Sequence, residues 1–344
     1  MAQAANRWSR HRRAEAIGQV EVQGGWRGAR QEACPEARKL QESSEVRDSD
    51  ANSDAMLQLR SGISMPRFGL GTWQSQRGGE CQRAVAEALR VGYRLIDTAQ
   101  IYGNEADVGQ ALQDARIKRD EVFIVTKLSS REHGGNHPAA ALKASLARLK
   151  LEYVDLFLIH SPRGGFLLET WDSLVKLRNS GRELPEVNQI ELHCFWQQRE
   201  TESLCQKLGI ALMAYSPLAR GSLFGSTDLA RLAQESLCSE AALCIRWAFQ
   251  KGFVVIPKSV NPQRIQGNIK ALSGPGLTPR QMQEIDLLDQ GFCSCPAARA
   301  MQVPWEEVAT KAPVRGKGKG KSKSNGKGKA SGDLQTTSWA EAFS

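Results

Sequence analysis

Polar side chains able to move a proton stand at the carboxyl ends of short apolar runs. Asp97 closes Leu95-Ile96, Lys127 closes Val122-Phe123-Ile124-Val125-Thr126, and His160 closes Leu156-Phe157-Leu158-Ile159. Tyr215 and Lys258 end two further runs, Ala211-Leu212-Met213-Ala214 and Val254-Val255-Ile256-Pro257. Tyr102 follows Asp97 in a loop that Gly103 lets turn tightly, and Asn104 after it can cap a helix through 105–113. Taken alone, Asp97 and Tyr102 read as a structural acid and a surface phenol. Repetition of the pattern at the other strand ends changes that reading, because those ends face one mouth in a parallel barrel.

The residue types fit one reaction. A phenol ionises near pH ~10, too high for easy proton exchange at neutrality. A neighbouring ammonium favours the phenolate, and Lys127, held by Asp97, can supply it. His160 can hydrogen-bond a carbonyl oxygen and orient it. Together these groups suit protonation of an alkoxide as it forms, which is what carbonyl reduction by hydride transfer needs. For the hydride donor, Tyr215 offers a flat face to a nicotinamide ring, Gln189 can bond its carboxamide, and Ser216, Leu218 and Ser222 lie where a pyrophosphate would pass. Lys258, Ser259 and Arg264 open the last barrel helix and suit a phosphate such as the extra one of NADP. No GxGxxG follows a strand, so a Rossmann domain is not the cofactor holder.

These residues need a frame. Phe68 to Trp73 reads as a first strand, and Cys81, Ala84, Val85, Ala88 and Leu89 form the apolar stripe of a helix. The unit recurs: strands at 93–97, 122–127, 154–160, 187–192, 211–215 and 253–258 alternate with amphipathic helices, several stopped by Gly92, Gly181, Gly209 and Gly252. Helices are also predicted over 262–272 and 279–288. Short, wholly apolar strands between helices mean a parallel sheet covered by helices, in the α/β class. The count gives seven strands of a (β/α)8 TIM-type barrel. After Gly181 the rhythm stumbles, because Arg182-Glu183-Leu184-Pro185 follows where a strand is due.

The chain divides into an extension at 1–55, a barrel at 56–291, and a C-terminal segment at 292–344 carrying a Lys/Gly-rich tail. Both ends have compositions that cannot bury a core and are expected to be disordered. Of the net charge of +9, eight charges come from residues 311–330, which contain no acid, so the barrel is near neutral. The tail lacks aromatics to stack on bases, so a solvated tail is preferred to a nucleic-acid arm. No run of about 18 apolar residues predicts a membrane span. Arg7, Arg10, Arg12 and Arg13 hint at a transit peptide, but Glu15 and Glu21 soon follow, and a cytoplasmic monomer is expected. Eight cysteines include no CxxC pair, which argues against zinc and fits a reducing compartment. Cys293-Ser294-Cys295 could form a redox pair, but two reduced thiols are the preferred reading.

From about Ser61 to Leu288 the sequence resembles the aldo-keto reductases. The resemblance rests on Gly69-Leu70-Gly71-Thr72-Trp73, Asp97-Thr98-Ala99 through Tyr102-Gly103-Asn104-Glu105, Thr126-Lys127 and Leu158-Ile159-His160. It continues through Val187-Asn188-Gln189-Ile190-Glu191-Leu192-His193, Ala214-Tyr215-Ser216-Pro217-Leu218 and Ile256-Pro257-Lys258-Ser259-Val260. It implies a (β/α)8 barrel that reduces small carbonyl substrates with NADPH, with Tyr102 as general acid and Asp97, Lys127 and His160 as its partners. Gln189, Tyr215, Lys258, Arg264 and Asn268, joined by Thr72, Ser216, Leu218 and Ser259, are the implied cofactor set. Trp73, with Tyr102 and His160, is expected to line the substrate pocket, to which Phe166, Phe195 and Trp196 are further candidates. No metal is called for.

Three departures stand out. Between Gly181 and Pro185 about one βα unit of roughly twenty residues is absent, and with it the Ser-Asn pair that bonds the carboxamide in the family. Gly267 stands where many members carry an acid, and Cys194 replaces the usual Pro after Glu191-Leu192-His193. The expected result is a seven-stranded, distorted or gapped barrel. Either the strand at 154–159 pairs with that at 187–192, or two parallel edges face water. Reduced stability and weak NADPH binding are expected. The alternative to an active reductase is a weak or inactive relative that binds a nucleotide or a partner.

Overall fold

The computed structural model describes residues 55–178 and 185–295. The expected extensions, and residues 179–184 at the shortened junction, lie outside the described residues. An antiparallel hairpin, β1 (Met56–Gln58) and β2 (Ser64–Pro66), comes first. Parallel strands then alternate with helices: β3 (Leu70–Gly71), α1 (Glu80–Arg90), β4 (Leu95–Asp97), α2 (Glu105–Ala115), β5 (Phe123–Leu128), α3 (His137–Leu149), β6 (Leu156–Ile159) and α4 (Leu167–Leu177). Beyond the junction follow β7 (Val187–Glu191), α5 (Arg199–Lys207), β8 (Ala211–Tyr215), α6 (Thr227–Glu235), α7 (Glu240–Gln250), β9 (Val254–Val255), α8 (Pro262–Lys270) and α9 (Pro279–Asp286). Helix α6 falls outside the helices expected from the apolar spacing, although Leu229, Leu232 and Ala233 form its buried stripe.

Strands β3-β4-β5-β6 form one parallel sheet and β7-β8-β9 another. Bridges from Phe68 to Val255 and from Gly71 to Lys258 join β3 to β9. The continuous order is therefore β7-β8-β9-β3-β4-β5-β6, seven parallel strands of an α/β barrel, with β6 and β7 as its two ends among the described residues. Among the described residues no ladder joins the strand at 154–159 to that at 187–192. The β6 edge is nevertheless not bare, since all four of its residues are buried.

Alternation along the strands sorts the core into two layers. Leu95, Val125, Leu156, Leu158, Val187, Met213, Val254 and Ile256 point inward and pack with Leu59, Ile63 and Met65 of the hairpin. Ile96, Ile124, Phe157, Ile159, Leu212 and Val255 point outward and pack with the apolar stripes of the helices. Glu186, just before β7, ties the two ends of the order together. Its buried carboxylate accepts from the Ser61 amide of the hairpin and from Arg178 at the end of α4, the latter at 3.4 Å. Arg60 donates to the Pro185 carbonyl at 2.8 Å. Residues 292–295 pack on the barrel, with the Phe292 amide donating to the Phe195 carbonyl at 3.0 Å.

Candidate active site

Asp97 is the last residue of β4, Lys127 lies near the end of β5, and His160 directly follows β6, so neighbouring strands in register bring the three to one mouth. Lys127 is buried to 2% exposure and Asp97 to 3%. Lys127 Nζ donates to Asp97 Oδ1 at 2.6 Å, to the Thr98 carbonyl at 3.0 Å, and lies 3.2 Å from the Tyr102 hydroxyl. The His160 ring meets the Tyr102 ring edge-on, with centroids 5.5 Å apart at 79°. Trp73 also packs on the Tyr102 ring, 4.7 Å between centroids at 52°. The four residues proposed for proton transfer are therefore contiguous, with Trp73 beside them.

Asn104 holds the Tyr102 loop. Gly103 takes φ 70 between them, a left-handed turn in which a Cβ would be strained. Asn104 occupies the N-cap position of α2, but its side chain does not cap the helix. Its Nδ2 donates to the Thr72 and Ser75 carbonyls at 2.9 and 3.0 Å, and its Oδ1 accepts from Thr98 Oγ1 at 3.1 Å. A fully buried amide that ties three loops is more valuable here than one capping bond, because its polar atoms would otherwise stay unpaired. Beneath it, Glu105 accepts from Thr126 Oγ1 and Arg148 Nε, both at 2.6 Å, which fixes α2 to β5 and α3.

Electrostatics at the mouth run partly against the sequence expectation. Burial, then the Asp97 and Cys295 charges, push the Tyr102 phenol well above its ordinary value of 10.0. The expected lowering by Lys127 is overridden by the cost of burying a phenolate. Burial likewise lowers Lys127, against the opposing pull of Asp97 and Glu105. His160 falls to about 3 through burial and the Lys127 charge. Its Nδ1 is buried without a hydrogen-bond partner among the described residues. At neutral pH the site thus presents a protonated phenol and a neutral imidazole.

The expected cofactor residues sit around the same mouth. Tyr215 ends β8 with its ring half-buried, followed by Ser216 at φ 49 and half-buried Leu218. Thr72 Oγ1 donates to the Asp97 carbonyl at 3.0 Å. Lys258 and Arg264 both reach solvent, yet partial desolvation, then the Arg264 charge, lowers Lys258 against the pull of Glu80. Asn261 caps α8 by accepting from the Arg264 amide at 3.0 Å, while Ser259 and Asn268 are buried beside it. Two cations in mutual repulsion at a helix start fit a phosphate group. The carboxamide end fits less simply, because Gln189 Nε2 donates to Asp97 Oδ2 at 2.7 Å and to Met213 Sδ at 2.8 Å. Phe195 lies in the outer core at 2% exposure and does not line the mouth, whereas Trp196 borders a separate surface groove with Arg199 and Asp289.

Glu191 was passed over in the sequence reading of the site, although it lies two residues beyond Gln189 on the same strand face. Its carboxylate is buried opposite Tyr215 and accepts from Ser294 N at 2.7 Å, Ser294 Oγ at 2.6 Å and Cys293 Sγ at 3.4 Å. Burial pushes this carboxyl up, but the bonds from His193 and Ser294 outweigh it and hold it below its ordinary value. The C-terminal segment is thereby anchored at the ends of β7 and β8.

Comparison with known proteins places the whole barrel region in one family. The model of the Aldo/keto reductase family matches residues 67–182 and 185–290, the break falling at the shortened junction. An aldo-keto reductase of Mycobacterium sp. (strain KMS) is 38% identical over 260 residues, covering 69% of this chain and 94% of that protein. The glyoxal reductase of Bacillus subtilis (strain 168) is 36% identical over 256 residues, covering 68% and 92%. Among solved structures, an aldo/keto reductase from Brucella melitensis superposes with a TM-score of 0.65 at 35% identity, covering 68% of this chain and 97% of that one. A mutant of Gox0644 in complex with NADPH gives 0.64 at 33% identity, covering 68% and 93%. By sequence and by fold, the chain belongs to the aldo/keto reductase family.

Proposed function

We propose that this chain reduces aldehydes or ketones to alcohols, with NADPH as reductant and Tyr102 as general acid. The observation that carries the reading is the contact of the Tyr102 hydroxyl with Lys127 Nζ at 3.2 Å, within a pair that Asp97 completes at 2.6 Å. When bound, NADPH would supply the hydride to the carbonyl carbon. Tyr102 gives its proton to the carbonyl oxygen as charge develops there, and the Lys127 ammonium stabilises the phenolate left behind. Neutral His160 orients the carbonyl by hydrogen bonding without adding a charge. Trp73 excludes water from one side of the phenol. Lys258 and Arg264 hold phosphate, favouring NADPH over its unphosphorylated counterpart.

A second reading is a barrel that binds the nucleotide but turns over slowly. It is favoured by the engagement of the Gln189 amide with Asp97, which leaves the carboxamide end of the site with fewer donors. NADPH oxidation should be followed with a panel of aldehydes that includes glyoxal. Under the first reading, Tyr102→Phe lowers kcat/KM by at least about 100-fold while NADPH binding persists. Binding without any Tyr102-dependent turnover would establish the second.

A further inference from the structure

We infer that Gln189 is a positioning residue: its amide, reaching from β7 across the barrel, fixes Asp97 and thereby sets the Lys127–Tyr102 pair. The inference rests on the reading of Tyr102 as general acid and deepens it.

Asp97 has two carboxylate oxygens in a nearly dry site, and Lys127 satisfies one of them at 2.6 Å. Gln189 Nε2 satisfies the other at 2.7 Å. A carboxylate only accepts, so the amide must present its nitrogen here. Strands β7 and β4 are not neighbours, since β8, β9 and β3 lie between them in the order. The bond therefore spans the barrel interior and links the two sheets at the mouth. The same amide nitrogen lies against Met213 Sδ, which closes it off on that side. The donor that faces the mouth is thus engaged by Asp97, and Oε1 remains to accept from a nicotinamide carboxamide. In a barrel whose order ends at β6 and β7, the amide braces the proton-transfer group.

The charge logic is definite. Lys127 from β5, His160 after β6, Tyr215 at the end of β8 and Cys295 of the C-terminal segment face the Asp97–Tyr102 pair, while Glu105 from α2 acts on Lys127 and Glu191 from β7 acts on Tyr215. Asp97 opposes ionisation of Tyr102. A hydrogen bond donated to Asp97 spreads its negative charge and softens that opposition. Loss of the donor therefore moves the phenol further up and frees Asp97 to turn away from Lys127.

The test compares wild type, Gln189→Met and Gln189→Glu in the full chain without cofactor. Tyr102 ionises beyond the range in which a fold survives, so its state is read in the folded chain at about pH 8, from the 13C resonance of the tyrosine ring carbon bearing the hydroxyl that Tyr102→Phe removes. The Tyr102 titration is the shift of this resonance between about pH 5 and about pH 9. Gln189→Met, close in size but without a donor, should displace that resonance from its wild-type position and lower kcat about tenfold. Gln189→Glu should behave near wild type at about pH 5, where a protonated carboxyl still donates to Asp97, and fail at about pH 8, where two carboxylates repel. An unmoved Tyr102 titration in both variants, with only NADPH affinity changed, would overturn the inference and leave Gln189 as a cofactor contact. Because the titration needs neither substrate nor turnover, it stands apart from the proposed reaction: an inactive wild type with a shifted Tyr102 titration would refute the activity and keep the positioning role. A Gln189→Met chain that does not fold would leave Gln189→Glu, folded at low pH, to decide by its pH-dependent rescue.

Discussion

His160 is the residue whose charge state is most constrained by its surroundings. Burial and Lys127 bring its ionisation from 6.5 to about 3, so the ring is neutral throughout the ordinary working range. Reduction should then show no inflection in kcat/KM near pH 6.5, and a flat profile from about pH 5 to about pH 8 is expected, since Tyr102 is held protonated above that range. A clear limb near 6.5 would show that His160 titrates and would remove its role as a neutral donor. The same shift has a stability consequence. The folded pKa lies below the unfolded one, so the unfolded chain takes up a proton in the window between 6.5 and about 3 that the folded chain refuses. Stability from this group is complete above about 6.5 and declines as pH falls through that window. At this scale the sequence was highly legible. Asp97, Lys127 and His160 announce themselves because a parallel barrel gathers strand ends, and strand ends can be read from apolar runs. The direction of the Tyr102 shift was not legible, because desolvation depends on packing from Trp73, His160 and the C-terminal segment, which no local spacing encodes.

Elements show the same division between local and non-local information. Helices α1, α5 and α7 end just before Gly92, Gly209 and Gly252, and the Thr278 capping box starts α9, all signals carried within a few residues. What could not be read is where buried polar side chains go. Asn104 looks like a helix cap by sequence and instead laces Thr72, Ser75 and Thr98 together. Glu186 carries no local signal of burial, yet it is buried and gathers the hairpin, the end of α4 and the start of β7. Its backbone carbonyl also accepts from the Ala211 amide at 2.8 Å, at the head of the β7–β8 ladder. Glu186→Ala removes the acceptor of the Ser61 amide and a carboxylate from Arg178, and should cost about 2–3 kcal/mol in urea unfolding. Amide exchange at β7 and β8 should rise more than at β4 and β5, because Glu186 opens β7 itself, whereas β4 and β5 lie away from its partners Ser61 and Arg178. Equal acceleration in both sheets would mean that Glu186 acts on global stability and not on this junction.

At the scale of the barrel, the decisive feature is that the described residues form an order of seven parallel strands with β6 and β7 at its ends. Closure of a barrel satisfies every strand edge, and an order with two ends leaves edge amides and carbonyls to other partners. Here the two sheets are tied by the β3–β9 bridges on one side, by Glu186 at one level, and by Gln189 to Asp97 at the mouth. That substitution of polar ties for a ladder predicts a barrel less stable than a closed relative and a weaker grip on the nicotinamide end, where Gln189 is already engaged. Both effects should be reversible. Inserting a strand–helix unit of about twenty residues between Gly181 and Pro185, with Ser-Asn at the strand end, supplies a ladder for β6 and β7 and new amide donors at the mouth. Thermal unfolding should then move up by about 5 °C or more, since even 1 kcal/mol shifts the midpoint of a domain this size by a few degrees. NADPH affinity, read by quenching of tryptophan fluorescence, should rise by about tenfold or more, equivalent to one or two added hydrogen bonds. If the inserted chain folds and binds no better, then the seven-stranded arrangement is already competent, and the polar ties at Glu186 and Gln189 suffice in place of the eighth strand.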